Sequence, residues 1–431
     1  MSKEELALFG GPRSVPDGMV RPWPDIRQED KDAVMAVLDR GVLWGAAAPE
    51  ATKLQEEWAA WLGRKYCLAT NSGTAALHMA VAAAGVEPGD EVITTPVSWT
   101  STATCILHHN AIPVFADIDP TTMNIDPKRV EEKITDRTKA IIPVHLFGLA
   151  ADMDPIMALA DKHGLMVIED ACQAHGALYN GKQAGTIGQL AAFSLNGSKN
   201  LSAGEGGLFV TDDEYLWQEA ARLQQFGEKR RTDGAREYNA YGMGWMYRTT
   251  EMSAAFARSQ LRRLNEYNER IRENAHHLTG LLSTLKGIRT PVEPEGYKHN
   301  YFFYKIQFWP EDLGLDVPIG HFASKVNAAL EAEGVVLGRG EFVIPTMTLF
   351  QEKRGYGKGC PWTCGHYGRE ILYRAEDYPC AVEAVERVIG LVGTKPPNGK
   401  QLMERYARAF EKVFGALDRV LQPDAVVARA G

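Results

Sequence analysis

The sequence lacks three features that would assign the chain to a special class of protein. It has no run of about 18 consecutive apolar residues, so no transmembrane helix is predicted. Its first residues, MSKEELALFGGPRSVPDG, contain no apolar core segment and are not expected to be a secretory signal. It also has no internal repeat and no low-complexity segment, which argues against a solenoid or a disordered chain.

Cysteine and net positive charge are scarce as well. Six cysteines in 431 residues do not make a disulfide framework, and Cys67, Cys105 and Cys172 lie in apolar segments typical of a protein core. The formal net charge is -8. An acidic surface repels a phosphate backbone, so no nucleic-acid partner is expected. Together with the missing membrane and secretion signals, these features predict a cytoplasmic protein.

What is present fits a globular protein of two domains. Hydrophobic residues make up 45% of the chain and charged residues 24%, and 431 residues exceed what one ordinary core holds. We predict a large domain over residues 1–275 and a smaller C-terminal α+β domain over residues 276–431. Residues 1–50, rich in Pro, Gly and Trp, are expected to form an irregular arm, and residues 251–285 show one long helical pattern.

Short apolar runs alternate with helical patterns between residues 49 and 172. The predicted strands are 65–70, 90–96, 112–119, 140–148 and 165–172, and the predicted helices are 49–62, 74–85, 100–109, 129–134 and 153–164. Alternation of this kind predicts a mostly parallel central sheet covered by helices, which is an α/β fold.

The segment TNSGTAAL (70–77) joins a predicted strand to a predicted helix through small residues. Gly73 allows a ligand to approach the backbone closely, and Thr74 begins the helix. Free backbone N–H groups and the positive end of the helix dipole bind phosphate at such a corner. The plainer interpretation is an ordinary helix cap at a strand-to-helix turn.

Two further segments place charged residues at strand ends. In MVIEDACQAHGA (166–177), Asp170 lies where parallel strands bind ligands and is a candidate partner for a protonated ring nitrogen. The alternative is a salt-bridged or capping carboxylate. In AAFSLNGSKNLSAGEGG (191–207), Lys199 follows an apolar strand and precedes a glycine-rich turn. A desolvated lysine there becomes an imine-forming nucleophile, whereas most lysines are solvated surface residues.

The order of these features resembles the aspartate-aminotransferase type of pyridoxal-phosphate (PLP) enzyme, the PLP-dependent transferases of fold type I. More narrowly, the chain resembles the DegT/StrS family of sugar and cyclitol aminotransferases. Six blocks match that family in order and spacing: TNSGTAAL, TTPVSWTSTAT, DIDPTTMNIDP, AIIPVHLFG, VIEDACQAHGA and FSLNGSKNLSAGEGG. The resemblance is strong over residues 35–285. It implies pyridoxal 5'-phosphate as the cofactor and a homodimer in which the partner chain completes each active site.

The resemblance also implies roles for individual residues. Lys199 corresponds to the lysine that forms the Schiff base with the cofactor, and Asp170 to the carboxylate that keeps the pyridine nitrogen protonated. Trp99 corresponds to the aromatic residue stacked on the cofactor ring, and Gln173 to a residue near its phenolic oxygen. The other matches are the phosphate contacts Gly73, Thr74 and Ser194 and two residues near the site, His145 and His175. A lone histidine is also commonly a satisfied core residue.

One position departs from the family pattern. Near residues 242–251 the family carries an Asn that reaches the cofactor phosphate of the neighbouring subunit, and this chain has Met246, which supplies no such donor. Arg248 is the candidate replacement, because a guanidinium binds phosphate through two hydrogen bonds. The alternatives are a local slip of the alignment, or an ion pair between Arg248 and Glu251.

The implied reaction is a two-step transamination from glutamate or glutamine to a ketone. The acceptor that the resemblance implies is a nucleotide-linked keto-sugar or a ketocyclitol such as an inosose, and the opening LALFGGPRSVPDGMVRPWP favours the cyclitol branch. Two alternatives remain open. One is a PLP lyase or aromatising enzyme related to aminohydroxybenzoate synthases, and the other is a regulator without catalytic activity.

The segment CPWTCGH (360–366) invites a separate interpretation as a metal site. Cys360, Cys364 and His366 are possible zinc ligands, with Cys380 as a fourth. Their Cys-x3-Cys-x-His spacing is not a common zinc pattern. We therefore predict a plain loop and no metal site.

Overall fold

The computed structural model describes residues 5–44, 48–229, 237–338 and 340–422, and its centre is a seven-stranded sheet. The strands, numbered along the chain, are β1 (Tyr66–Thr70), β2 (Glu91–Thr94), β3 (Ile112–Phe115), β4 (Thr138–Ile142), β5 (Met166–Asp170), β6 (Leu178–Tyr179), β7 (Lys182–Gln183), β8 (Leu190–Ser194), β9 (Gly207–Thr211), β10 (Ile288–Arg289), β11 (Tyr297–Lys298), β12 (Tyr304–Phe308) and β13 (Val388–Leu391). The order across the large sheet is β1-β9-β8-β5-β4-β2-β3. Strand β9 is antiparallel to β1 and β8, and the other neighbours are parallel. The predicted mostly parallel sheet is confirmed.

Helices flank this sheet, and their ends carry the expected signals. They are α1 (Gln28–Arg40), α2 (Pro49–Leu62), α3 (Gly73–Ala83), α4 (Ser101–Leu107), α5 (Pro127–Lys133), α6 (Met153–His163), α7 (Glu214–Gln224), α8 (Glu251–Leu261), α9 (Leu264–Leu282), α10 (Ile319–Ala332), α11 (Thr348–Gln351), α12 (Pro379–Arg387), α13 (Lys400–Phe414) and α14 (Leu417–Val420). For example, α2 begins with Pro49 and stops at Gly63, whose φ of 83° suits glycine. None of the helices in the described ranges is long and apolar enough to cross a lipid bilayer.

Helices cover both faces of the sheet because successive residues of a strand point to opposite sides. In β8, Leu190 and Ala192 share a core with α3 and α7, whereas Ala191 and Phe193 share a core with α2 and α8. A strand buried on both faces is apolar at every position, which explains the continuous apolar runs in the sequence. Many polar side chains of this sheet lie where a strand ends, and Ser194 at the end of β8 is one of them.

A second core lies in the C-terminal part of the chain. There β10, β12 and β13 form an antiparallel sheet that packs with α9, α10 and α13. Leu6 and Val15, from the start of the chain, belong to this core, and α9 runs through residue 275. Residues 343–388 return to the edge of the large sheet, where Trp362 shares a core with Phe115. The division into residues 1–275 and 276–431 stays a prediction.

The prediction of an irregular arm over residues 1–50 is wrong in part, because α1 occupies Gln28–Arg40. Asp30 stabilises its first turn by accepting the backbone N–H of Arg27 at 2.8 Å, and it also pairs with Arg263 at 2.7 Å. In this helix only Asp30 and Val37 are buried. Val37 is thus the one apolar residue that this helix buries, and a single residue gives no periodic pattern in the sequence. The helix was therefore not predictable from periodicity.

The helical pattern over residues 251–285 is two helices, α8 and α9, rather than one. Arg262 and Arg263 separate them, and Arg263 donates to the hydroxyl of Tyr267 at 2.8 Å as well as pairing with Asp30. The break between α8 and α9 therefore directs the side chain of Arg263 toward α1, where its counter-ion Asp30 lies.

The segment 355–368 is a succession of turns, as expected. Cys360 and Cys364 form a disulfide within it. Sulfur atoms in a disulfide bond are not available as metal ligands, so the zinc interpretation does not apply to these two cysteines. Between them lies Trp362, which is buried and donates its indole N–H to the hydroxyl of Tyr373 at 2.9 Å.

Candidate active site

A cavity of about 510 Å³ opens at the carboxyl ends of the parallel strands. Open α/β sheets bind their ligands at this edge. The cavity is lined by the start of α3, the end of β5 and the loop after β8, and also by Gly338, by residues 340–342 and by the strands β12 and β13. Seven residues that the sequence predicts to contact the cofactor line this cavity together: Gly73, Thr74, Trp99, Asp170, Gln173, Ser194 and Lys199.

The first turn of α3 presents unused backbone donors to the cavity. Ser72 caps this helix, since its hydroxyl accepts the N–H of Ala75 at 3.1 Å. The N–H groups of Gly73 and Thr74 precede that bond and have no acceptor within the helix. With the positive end of the helix dipole, they form a binding corner for an anion.

Close packing and hydroxyl groups shape the same corner. A Cβ atom on Gly73 would lie 2.8 Å from Cβ of Ser194 and 3.0 Å from Sγ of Cys172, so only glycine fits there without a shift. The hydroxyls of Thr74 and Ser101 are 2.7 Å apart. The corner therefore offers neutral hydrogen-bond donors, and glycine at position 73 allows the end of β8 to pack closely against the start of α3.

Asp170 is buried at the end of β5, with 3% of its surface exposed. Its Oδ2 accepts the hydroxyl of Thr102 at 2.7 Å, and its Oδ1 accepts the backbone N–H of Cys172 at 3.2 Å. Both oxygens are held by neutral donors and not by a lysine or arginine of the described chain. The carboxylate thus has no ion pair of its own and is available to a cationic group inside the cavity.

Lys199 reaches the cavity from the loop after β8. Its Nζ lies 4.1 Å from the centroid of the Phe302 ring. Burial lowers the pKa of this amine, although Cys172, Asp170 and Glu341 act in the opposite direction. A lysine that loses its proton more readily than usual is a better nucleophile and base near neutral pH.

Gln173 is held so that only one end of its amide is used. Its Oε1 accepts the backbone N–H of Phe147 at 2.8 Å, and its carbonyl accepts the Nδ2 group of Asn300 at 3.1 Å. This arrangement leaves the side-chain NH2 group to donate into the cavity. Phe147 itself has a φ of 57°, which a bulky residue rarely adopts. The hydrogen bond from its N–H to Gln173 therefore helps to hold a strained backbone conformation.

Aromatic side chains also line the cavity. Trp99 is 57% exposed, and its ring meets the ring of Phe342 at a centroid distance of 5.9 Å. Phe302 and Phe303 pack against each other at 4.0 Å beside the same space. A flat cationic ring is stabilised between such faces.

His145 does not line the cavity. Its Nδ1 accepts the N–H of Ala151 at 3.0 Å, so its ring proton lies on Nε2 and is donated to Glu169 at 2.9 Å. Glu169 is fully buried and also accepts the N–H groups of Gly185, Ile187 and Gly188. Burial raises the pKa of Glu169, but the hydrogen bonds outweigh burial, and the net pKa is lowered. Both side chains therefore serve the fold on the far side of β5.

His175 also lies outside the cavity lining. It is buried beside the rings of Trp58 and Phe193, and its Nε2 has no hydrogen-bond partner. Burial, followed by the charges of Lys199 and Lys395, lowers its pKa to about 3. The imidazole is thus neutral at physiological pH and contributes packing rather than charge.

Arg248 does not reach the cavity of its own chain. Its backbone pairs with Thr70, its side chain lies 6.0 Å from the ring of Phe226, and its Nε has no hydrogen-bond partner. The alternative pairing with Glu251 is not formed. That carboxylate instead accepts the N–H groups at the start of α2 and pairs with Arg40 at 3.3 Å.

Sequence reasoning missed an ion pair in the cavity wall. Lys305 on β12 and Glu341 lie 2.7 Å apart, and both line the cavity. Lys305 passes over Gly390 of β13, where a Cβ atom would come within 3.1 Å of its Nζ. A lysine inside the apolar run YFFYKIQF (301–308) was the available signal, since an apolar strand buries a charge only beside a partner.

Comparison with known proteins identifies the family and the fold. The model of the DegT/DnrJ/EryC1/StrS aminotransferase family matches residues 24–335. The chain belongs to this family. It is 34% identical over 422 residues to an L-glutamine:2-deoxy-scyllo-inosose aminotransferase of Streptomyces paromomycinus, covering 92% of this chain and 96% of the relative.

Solved structures of PLP enzymes are similar over nearly the whole chain. An aminotransferase from Psychrobacter cryohalolentis is 29% identical, with a TM-score of 0.80 over 92% of this chain and 99% of its own. A 3-amino-5-hydroxybenzoic acid synthase is 26% identical, with a TM-score of 0.81 over 93% of this chain and 99% of its own. The chain is a PLP-dependent aminotransferase of the sugar and cyclitol type, so the predicted fold, family, cofactor and class of reaction are confirmed.

The cavity fits each part of PLP. Asp170 is a carboxylate without a cation of its own, which suits a pyridinium nitrogen. The donors of Gly73 and Thr74 suit a phosphate, and the lowered pKa of Lys199 suits an amine that condenses with an aldehyde. All three groups open into one cavity, in which Trp99 supplies a ring face.

Proposed function

We propose that this aminotransferase moves the amino group of glutamine or glutamate to a ketocyclitol, with Lys199 as the catalytic lysine. The observation that carries the proposal is that the amine of Lys199 and the carboxylate of Asp170 open into one cavity with an anion-binding corner. The relative from Streptomyces paromomycinus, by its name, uses L-glutamine and an inosose, which supports this choice of donor and acceptor.

Each residue has a separate task in the proposed reaction. Asp170 holds a proton on the ring nitrogen of the cofactor, and the amine of Lys199 moves a proton at the α-carbon of the substrate. When bound, PLP supplies a ring that withdraws electrons from that carbon. Trp99 packs on the ring face, and Gln173 donates toward the phenolic oxygen. The phosphate is held by Gly73, Thr74 and Ser194.

The charges of the cavity favour a neutral polyhydroxylated acceptor over a nucleotide-linked sugar. A diphosphate requires free cations, but Lys305 is already paired with Glu341. Among the described residues that line the cavity, the other acids are Asp170 and Glu205, and the other base is Lys199. The pair of Lys305 and Glu341 can donate hydrogen bonds to hydroxyl groups of a substrate and accept hydrogen bonds from them. Because its charges cancel, the pair does not attract the diphosphate of a nucleotide-linked sugar.

We also propose that the protein is a homodimer. Tyr238 and Met243, in the segment YNAYGMGWMYR, are 78% and 77% exposed, and Met246 is half exposed. Trp245 and Tyr247 of the same segment pack against the core of the large sheet instead. Exposed aromatic and methionine side chains next to a packed anchor are typical of an interface, and a second copy of this chain is the partner. The cytoplasmic location stays a prediction.

The test is to convert the enzyme with glutamine into its pyridoxamine-phosphate form, remove the donor and offer single ketones. A ketocyclitol of the inosose type is expected to restore the absorption of PLP and to yield an aminocyclitol detected by mass spectrometry. Reaction with a nucleotide-linked keto-sugar alone would make the proposed acceptor wrong. Loss of water without amine transfer would favour the synthase alternative. Lys199→Ala is the control, which should bind the cofactor but show no turnover.

A further inference from the structure

A second buried lysine lies behind Lys199. Lys395, in the segment after β13, is 9% exposed, and its Nζ donates to the backbone carbonyl of Ser198 at 2.5 Å. Its Nζ is also 4.7 Å from the centroid of the Phe302 ring, whose other neighbour is the amine of Lys199 at 4.1 Å. Lys395 is not part of the cavity lining. It therefore touches the loop that carries Lys199 and not the space for the substrate.

Trp23 holds the next carbonyl of the same loop. Its indole N–H donates to the carbonyl of Lys199 at 2.9 Å, and its ring lies 5.3 Å from Nζ of Lys395. The peptide groups on both sides of the Lys199 Cα atom are thus fixed by side chains from opposite ends of the chain. Without these two donors, both carbonyls would lose their partners inside the fold.

The two donors are themselves joined. Asn398 accepts the N–H of Arg21 at 2.8 Å and donates to its carbonyl at 3.0 Å. Asn274 on α9 donates to the carbonyls of Thr394 and Asn398 at 2.9 and 3.0 Å. The segment around Lys395 therefore has a fixed position relative to the N-terminal segment that carries Trp23.

Lys395 differs from Lys305 and Lys412, which are buried beside a carboxylate partner. Lys305 pairs with Glu341, and Lys412 pairs with Glu333 at 2.9 Å. Within the described ranges, no carboxylate oxygen lies within 4.0 Å of the Lys395 amine. A buried amine without a counter-ion destabilises a fold, so a purely structural role does not account for a lysine at this position.

We propose that Lys395 is a positioning residue for Lys199, which fixes the Ser198 carbonyl and places a second basic nitrogen beside the first. The proposal rests on the proposed role of Lys199. Two amines that both lie close to the Phe302 ring repel each other when both are protonated, and a nearby cation is one way in which proteins keep a reactive lysine free of its proton.

Both amines have a lowered pKa in this geometry. Burial and then the charge of Lys199 lower the pKa of Lys395, and burial lowers the pKa of Lys199. The titratable groups that face Lys199 from the surrounding elements are Asp170, Cys172, His175, Glu341 and Lys395. Lys395 and His175 are the basic groups of this set that lie outside the cavity lining, and of these two Lys395 contacts the loop that carries Lys199.

The experiment compares Lys395→Met with Lys395→Arg in the full-length protein. In Lys395→Met, kcat is expected to fall about 10- to 100-fold with little change in either KM, because misplacement of a catalytic group acts on the chemical step. Cofactor-free Lys395→Met should also react with added PLP more slowly at neutral pH. The pH midpoint of that reaction should move upward, since Lys199 keeps its proton to a higher pH. Lys395→Arg should restore the midpoint.

Two further variants separate position from charge. Trp23→Phe removes the other carbonyl donor without a change of charge, so it should slow the reaction with PLP and leave the pH midpoint unchanged. Lys412→Met removes a paired buried lysine, so it should lower the melting temperature and leave both the rate and the midpoint unchanged. If Lys395→Met keeps the wild-type kcat and midpoint, or changes only the melting temperature, the positioning role is wrong.

Peptide mapping after borohydride reduction distinguishes this failure from failure of the proposed function. The cofactor is expected on Lys199 in the wild type and in Lys395→Met. A label on Lys395 in the wild type would overturn the assignment of Lys199 itself. A label on Lys199 combined with unchanged kinetics in Lys395→Met would overturn only the role of Lys395.

Discussion

Asp170 has a charge that no cation of the described chain neutralises, and this makes its role testable by one substitution. Asp170→Asn keeps the size of the side chain and removes the charge that holds a proton on the ring nitrogen. We expect kcat to fall about 100-fold or more, on the order of 3 kcal/mol of transition-state stabilisation. The measurement is steady-state kinetics on wild type and variant with saturating cofactor.

Thr102→Val is the matched control for Asp170→Asn. It removes the hydroxyl that donates to Oδ2 and leaves the carboxylate in place. Its loss in kcat should be smaller than that of Asp170→Asn, because the charge of the carboxylate remains and only one of its hydrogen bonds is lost. Near-normal activity of Asp170→Asn would mean that another group supports the ring nitrogen. Glu169 is excluded from that task by its position on the far side of β5.

At the scale of single residues, sequence reasoning located the groups that lie at strand ends. Asp170 and Lys199 stand out because they interrupt or follow apolar runs, and the cavity brings them together. Glu341 and Lys395 were not predictable in the same way. They reach the site from residues more than a hundred positions later, through loops whose course depends on the packing of the second core.

The corner between β1 and α3 offers a test at the scale of secondary structure. Gly73→Ala places a Cβ atom 2.8 Å from Ser194 and 3.0 Å from Cys172, so the helix start or the end of β8 must shift. We expect the affinity for PLP to fall about tenfold, or about 1.4 kcal/mol, because the phosphate donors no longer converge. Titration of the cofactor-free protein, followed by absorbance, measures this change.

Gly280→Ala is the control for the glycine substitution. Gly280 lies inside α9, and a Cβ atom there meets nothing within 4 Å. The unfolding free energy should rise by about 0.5–1 kcal/mol, because alanine favours the helix. Cofactor affinity should stay the same. Unchanged affinity in Gly73→Ala as well would show that the phosphate binds elsewhere.

Elements with a strong apolar pattern were predictable, and those held by polar contacts were not. The strands of the large sheet and α2 follow from continuous or periodic apolar residues, and α2 ends where Gly63 permits a positive φ. Helix α1 depends on Asp30, whose carboxylate binds Arg263. That bond joins positions more than two hundred residues apart, and no local pattern contains it.

Stability should fall with acidification because several histidines are buried without charge. Burial lowers the pKa of His78, His175 and His299 to about 3 each. The unfolded chain binds these protons near pH 6.5, so stability is lost as pH falls from about 6.5 toward 3, by up to about 1.4 kcal/mol per pH unit for each group. His78→Gln should lose less stability than wild type between pH 7 and 4.5 in chemical denaturation.

The comparison with an exposed histidine makes this result specific. His163 lies exposed at the end of α6, where its side chain meets water in both the folded and unfolded states. His163→Gln removes a histidine that is not buried, so it should not reproduce the change expected for His78→Gln. A curve of stability against pH for His78→Gln parallel to that of wild type would show that this histidine is protonated without cost in the fold.

The shared active site is a property of the proposed dimer, and subunit mixing tests it. Lys199→Ala and Arg248→Ala should each be inactive alone if Arg248 binds the cofactor phosphate of the partner. In mixed dimers, one site has both residues, so random exchange should restore about a quarter of the wild-type sites. Lack of activity despite exchange seen by native mass spectrometry would contradict sharing. So would full cofactor affinity in Arg248→Ala.

The hydrogen bonds from Trp23 and Lys395 to the Lys199 loop have a consequence for the synthesis of the chain on the ribosome. A ribosome makes Trp23 early, the loop in the middle and Lys395 near the end, so the two hydrogen bonds on this loop are completed at very different times. The large sheet can pair its strands while the last segment is still being translated. Nascent chains released before residue 395 would then contain the strands of the sheet and the amine of Lys199. They would lack the hydrogen bond from Lys395 that helps to fix the position of the Lys199 loop.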